Sequence, residues 1–179
     1  MESSTVVAIF KTHADAEQAV RDLHRGGFNL AKLSIVGKDY QTDEHVAGFY
    51  NTGDRIKYWG KFGAFWGGLW GLLFGAALLF VPGLGPVVVA GPLVAWIIAG
   101  LEGAVAVGGL SAIGAALFSI GIPKDSIVRY EVALKANQFL LIAHSTADEI
   151  ASAREILRTS SPSEINAHPS LQAAPAGVS

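Results

Sequence analysis

Two short polar segments contain residue types from which an anion-binding site could be built. Each follows an apolar run, TVVAIF or FLLIA, and each precedes a predicted helix. A lysine supplies positive charge, and the amino terminus of a helix supplies backbone N–H groups and a favourable dipole. The candidate anion-binding residues are Lys11, Thr12, His13, His144, Ser145 and Thr146.

A shared site requires the two segments to lie side by side. We expect residues 6–10 and 139–143 to form adjacent parallel strands, so that the residues after both strands meet at one edge of a sheet. The alternative is that the segments are ordinary helix caps with exposed polar neighbours. Two histidines without a nearby third ligand do not predict a metal site, so no metal is expected.

Glu102 is the only ionisable residue between positions 62 and 122. An ionisable group in a membrane-like segment is a functional candidate, and a ring of such residues from several chains could select cations at the mouth of a pore. The alternative is that Glu102 lies at a membrane interface beside Trp96, where water solvates the carboxylate.

Several classes of chemistry find no support in the sequence. The chain has no cysteine, which excludes disulfides, thiol nucleophiles and thiolate metal sites. It has neither a nucleophile elbow nor a phosphate-loop glycine pattern. A net charge of -2 gives no argument for nucleic acid. We therefore expect no catalytic residues, no cofactor and no enzymatic activity.

The elements that would position these residues form two β-α-β units. In the first, TVVAIF is a strand, Thr12 and Asp15 form a capping box, and LAKLSIVG is a second strand. The apolar stripe of the intervening helix consists of Ala16, Ala19, Val20 and Leu23.

The second unit repeats this plan near the carboxy terminus. Setting Ile9 against Ile142 matches Arg21 to Arg154, and EINAH provides the last strand. A helix over 123–137, ended by Asn137 in a left-handed conformation, is expected to precede this unit. Two β-α-β halves predict a ferredoxin-like sandwich, with four strands and two helices on one face.

Between the halves lies an apolar, glycine-rich insertion. Residues 62–122 contain 14 of the 21 glycines. Apolar runs of this kind indicate membrane spans, and two crossings, at about 62–81 and 103–122, return the chain to the same side. Residues 87–101 would be a re-entrant or interfacial segment. A continuous bent helix through 122 and a third crossing are the alternatives.

Small residues recur at every fourth position of both predicted crossings. Such ridges allow close packing of membrane helices, either within one hairpin or between chains of a homo-oligomer. The residues assigned to helix packing and oligomerisation are Gly63, Gly67, Gly71, Gly75, Ala104, Gly108, Ala112 and Ala116.

Basic residues flank the insertion and set its predicted orientation. Arg55, Lys57 and Lys61 precede the first crossing, and Lys124 and Arg129 follow the second. By the positive-inside rule both flanks and both termini are cytoplasmic, which places the protein in a bacterial inner membrane with the lipid bilayer as a partner.

The order of segments resembles a family of bacterial general stress proteins of the 17M type and related low-temperature-induced membrane proteins. The likeness spans most of residues 5–160 and is clearest in GIPKDSIVRYE and in the strand that follows. The resemblance implies a bacterial membrane protein linked to stress, and it brings no catalytic residues with it.

The sequence thus predicts an α+β membrane protein whose ferredoxin-like domain is split by a transmembrane hairpin. The expected divisions are 1–60, the first half with a linker; 61–122, the hairpin; 123–168, the connecting helix and second half; and 169–179, a disordered tail. The expected function is a stress-associated, non-enzymatic scaffold or adaptor. The alternatives are a homo-oligomeric pore and a membrane-anchored sensor of an anionic ligand.

Overall fold

The computed structural model describes residues 3–38, 76–81, 84–103 and 111–169. The elements are β1 (Ser3–Phe10), α1 (His13–Arg25), a 3-10 turn (Leu30–Lys32), β2 (Leu33–Lys38), β3 (Ala76–Val81), β4 (Gly85–Ala90), α2 (Leu93–Gly103), α3 (Ala112–Ser119), α4 (Lys124–Lys135), β5 (Phe139–Thr146), α5 (Ala147–Thr159) and β6 (Glu164–Pro169).

The six strands form one antiparallel sheet in the order β3-β4-β2-β5-β1-β6. The four strands of the two flanks are neighbours, and their order β2-β5-β1-β6 is that of a ferredoxin-like sheet. α1 connects β1 to β2, and one strand separates these two parallel strands in the sheet. That strand is β5, which is antiparallel to both. The insertion adds the β3-β4 hairpin beside β2.

Local sequence explains where the helices begin and end. The backbone N–H of Asp15 donates to the Thr12 hydroxyl, and that of Glu149 donates to the Thr146 hydroxyl, so a threonine caps the amino terminus of both α1 and α5. Asn137, at φ 60, follows α4 in the left-handed region. Gly91, at φ 93, allows the chain to turn close over β2 before α2, since a Cβ there would overlap the Leu33 carbonyl.

Helices cover both faces of the sheet. α1 and α5 pack on one face, against alternate strand residues such as Val6 and Ala8. α2, α3 and α4 pack on the other, against residues such as Val7 and Ile9. The architecture therefore has three layers, and the continuous apolar runs of β1 and β5 reflect burial from both sides.

The predicted membrane hairpin is wrong, and with it the predicted fold class. Residues 62–75 of the first crossing lie outside the described residues, and 76–81 form the strand β3. In place of the second crossing, α2 ends at Gly103, and Ser111 caps the separate eight-residue helix α3. In the part of the chain that the structure describes, no helix has the length and apolar character needed to cross a membrane.

The physical reason is that the apolar insertion covers the second face of the sheet. Leu93 and Ile97 of α2 and Ile113 and Leu117 of α3 belong to the core on that face, each at most 1% exposed. The inner-membrane location was inferred from the crossings, the flanking basic residues and the family resemblance, and it is corrected with the crossings. The predicted pore depended on the same crossings and is corrected as well.

The two capped helices are offset by one residue from the alignment made on the sequence. That alignment matched Thr12 to Ser145, whereas the capping residue equivalent to Thr12 is Thr146. In the corrected register the buried residues Ala16, Ala19 and Leu23 of α1 correspond to Ile150, Ala153 and Leu157 of α5. Arg154 then corresponds to Val20, which is fully buried, and not to Arg21.

Candidate functional site

The structure does not bring the two predicted anion-binding segments together. β1 and β5 are adjacent but antiparallel, with Phe10 opposite Phe139 and Ser3 opposite Thr146. The residues after β1 and those at the end of β5 therefore lie at opposite ends of the sheet. The expectation of parallel strands was wrong, because β5 runs against both β1 and β2.

The first segment serves the start of α1. Thr12 accepts the Asp15 backbone N–H at 3.1 Å and donates to the Asp15 carboxylate at 2.7 Å. The ring of His13 packs edge-on against Phe139 at 5.6 Å between centroids. Burial lowers the pKa of His13, partly offset by Glu17. Lys11 is exposed.

The second segment contains a charged cluster on the face of α1 and α5. Lys32 Nζ lies 2.7 Å from the Glu149 carboxylate and donates to the Ser145 hydroxyl at 2.9 Å. Ser145 also donates to Glu149. The hydrogen bonds from Lys32 and Ser145 lower the pKa of Glu149 from 4.5 to about 2. These groups satisfy one another, so they do not form an open anion site.

A row of polar residues crosses β5, β1 and β6 on the opposite face. Thr5 lies opposite both His144 and His168, and its hydroxyl is 2.7 Å from His144 Nδ1. Trp96 of α2 packs edge-on against His144, with 5.5 Å between ring centroids. Burial lowers the pKa of His144.

α4 packs against the other end of this row. Tyr130 Oη lies 2.7 Å from His168 Nε2, and burial raises the pKa of Tyr130 to about 12. Burial and the neighbouring Arg129 lower the pKa of His168. Arg129 also forms an ion pair with Glu164 at 2.9 Å, which ties α4 to β6.

The remaining candidates are placed as follows. Glu102 is the penultimate residue of α2. Ala112 and Ala116 lie in α3, where Ala116 is fully buried in the core of the same chain. Gly63, Gly67, Gly71, Gly75, Ala104 and Gly108 lie outside the described residues. Self-association through these ridges stays a prediction.

A cavity of about 200 Å³ lies between α5 and the edge strand β6. α5 contributes Ala147, Ile150, Ala151 and Arg154, which share one helical face. β1 contributes Ser4, and β6 contributes its last three residues. The cavity thus combines apolar walls with one guanidinium group and one hydroxyl.

Arg154 is the residue of this cavity with a buried nitrogen that no described residue satisfies. Its Nε is buried and has no hydrogen-bond partner among the described residues. A buried donor without a partner costs about 1–3 kcal/mol, so such a group indicates a site where something else can bind. The sequence reading missed Arg154 as a site residue, because the one-residue alignment error placed it with Arg21. Counting from the two capping threonines would have placed it at an inward position.

The described residues contain no cluster of three or more histidine, aspartate or glutamate side chains that could hold a metal ion. The donors of the cavity, a guanidinium and a hydroxyl, suit an anion better than a cation.

The amino-terminal part of the chain has a recognisable relationship. Residues 5–79 match the heat induced stress protein YflT domain. The predicted resemblance to bacterial general stress proteins is thereby confirmed for these residues, and the match indicates an association with stress. No curated protein and no solved structure matches the chain significantly. Residues 147–169, which form most of the cavity, lie outside the YflT match.

Proposed function

We propose that this is a non-enzymatic, stress-associated binding protein that takes a small anion in the cavity beside Arg154. The observation that carries the proposal is the arginine itself, which lines the cavity with a buried Nε that no described residue satisfies. The proposal retains the expected anion sensor but moves its site from the segments 11–13 and 144–146 to the cavity between α5 and β6.

The charges around the cavity support an anion. Arg154 forms no ion pair with a described residue, whereas Arg158 of the same helix pairs with Glu155 at 3.0 Å. The acidic Glu149 in the first turn of α5 is engaged by Lys32. The positive end of the α5 dipole, near Ala147, adds to the attraction for a negative group.

The orientation of the polar groups supports binding without catalysis. Ser4 lines the cavity, but His168 directs its ring to Tyr130 on the other side of the sheet. Neighbouring strand residues point to opposite faces, so the imidazole does not reach the Ser4 hydroxyl to serve as its base. The cavity therefore offers positive charge and shape, and no activated nucleophile.

The test is anion binding by the full-length chain. Phosphate and butyrate are titrated separately at constant ionic strength, with calorimetry for affinity and the Ile150 methyl NMR signal for location. We expect at least one of the two anions to shift the Ile150 signal. Arg154→Gln should lower the affinity at least tenfold, whereas the matched Arg158→Gln, one turn further along α5 where Arg158 is exposed and paired with Glu155, should have a much smaller effect. Absence of binding by both anions, or equal effects of the two substitutions, would refute the proposal.

A further inference from the structure

We infer that the ligand of this cavity is a carboxylate with a short apolar body, and this inference rests on the proposed function. The walls, the number of cations and the size of the cavity each bear on the chemical class of the anion.

The walls of the cavity are mainly apolar. Ala147, Ile150 and Ala151 form one side, and Ala167 and Pro169 form part of the other. Ala147, Ala151 and Ala167 are exposed, whereas Ile150 is 3% exposed and forms the base. A ligand with hydrocarbon groups would remove this apolar surface from water, whereas a compact inorganic anion would leave the surface exposed to solvent.

The polar part of the cavity matches a single carboxylate. One guanidinium can donate two parallel hydrogen bonds to the two oxygens of a carboxylate, and the Ser4 hydroxyl can add a third. A phosphate carries up to two negative charges at neutral pH and has more acceptor oxygens than these donors satisfy. Asp148, in the first turn of α5, would also repel the second charge.

The volume indicates how much of a ligand the cavity can cover, since the cavity is open to solvent where Ala147, Ala151 and Ala167 are exposed. At about 200 Å³ the cavity is smaller than the roughly 300–1,000 Å³ typical of sites for larger ligands. A chain of a few carbon atoms is therefore the expected body, with its carboxylate at Arg154 and its methyl end toward Ile150.

The experiment compares acetate, butyrate and pentanoate with phosphate and with neutral butanol, using the full-length chain. Burial of each methylene should strengthen binding about fourfold until the cavity is full. Butyrate should bind more tightly than phosphate, and butanol should bind at least tenfold more weakly than butyrate because it lacks the charge. Arg154→Gln should remove most of the difference between butyrate and butanol.

A second variant tests the apolar walls independently of Arg154. Ala151→Leu fills part of the cavity, so it should weaken pentanoate more than acetate and flatten the rise along the series. Tighter binding of phosphate than of butyrate, lost in Arg154→Gln, would overturn the carboxylate inference while leaving the proposed function intact. A flat carboxylate series in the unmodified protein would also overturn the inference. Failure of every anion to bind at Arg154 would overturn both.

Discussion

The two β-α-β halves use the same helix start and the same sheet face but differ at the inward position of Val20 and Arg154. α1 and α5 are both capped by threonine, and three of their buried positions are apolar in both. At the fourth, α1 has Val20 and α5 has Arg154. The repeated plan therefore forms the fold in both halves, while the cavity lies beside the helix of the second half and is also lined by Ser4 of β1.

The difference follows from where each helix lies. Val20 is completely buried and packs in the core. α5 also contacts β6, which is an edge strand, and Arg154 there is only partly buried. A long charged side chain can keep part of its surface in water at an edge, whereas in the core it cannot. The same helical position is thus structural in one half and available for binding in the other.

The largest effect on stability is expected when the residue types at positions 20 and 154 are exchanged. Val20→Arg places an unpaired charge in the core and should lower the free energy of unfolding by at least about 3 kcal/mol. Arg154→Val removes a buried donor that has no partner among the described residues and should raise this free energy by up to about 1 kcal/mol. Urea unfolding followed by circular dichroism measures both. Arg158→Val, at an exposed site of α5, is the control for the helix propensity of valine. A similar loss from both exchanges would show that Arg154 is a core residue like Val20.

The two capping threonines should differ less in their contribution to the free energy of unfolding than Val20 and Arg154 do. Thr12→Ala should lower the free energy of unfolding by about 1 kcal/mol, because Thr12 accepts the Asp15 N–H at 3.1 Å. Thr146→Ala should cost less, since its bond to the Glu149 N–H is 3.4 Å long and Lys32 and Ser145 also hold Glu149. Threonine-to-serine variants, which keep the hydroxyl, should restore most of the loss when compared by urea unfolding. A larger loss for Thr146→Ala than for Thr12→Ala would contradict the assignment of the weaker cap to Thr146.

The pH dependence of stability should be the smallest of these effects. His144 and His168 have a pKa below the usual 6.5 in the folded state. Below pH 6.5 the unfolded chain therefore binds more protons, so stability should be full above that pH and decline as the pH falls toward the lowered values. Urea midpoints at pH 7.5 and 5.5 measure the decline.

Glutamine variants locate the pH effect. His168→Gln keeps an acceptor for Tyr130 but cannot titrate, so it should reduce the decline of stability with falling pH. Adding His144→Gln should reduce this decline further. The pKa of His13, in the first half, is also lowered by burial, but Glu17 partly offsets this shift, so His13→Gln should reduce the decline less. A decline that neither of the second-half variants reduces would assign the effect to other groups.

Much of the local structure could be predicted from the sequence. The cap at Thr12, the helix before Asn137 and the strand at EINAH all depend on residues within a few positions of one another. The pairing of β1 with β5 was also expected, but its direction was not. The site could not be predicted, because its position depends on a one-residue register that weak similarity between the halves did not determine.

The sequence by itself determined that residues 62–122 are apolar and where the flanking elements begin. It also contained a signal for a sheet covered on both faces, since TVVAIF and FLLIA are continuously apolar and do not alternate. Only the tertiary structure decided which surface the insertion covers. Hydropathy measures the cost of exposure to water, and lipid tails and the second face of a sheet remove that cost equally well. The position of Arg154 likewise depends on the placement of α5 against β6, where no described residue pairs with its Nε.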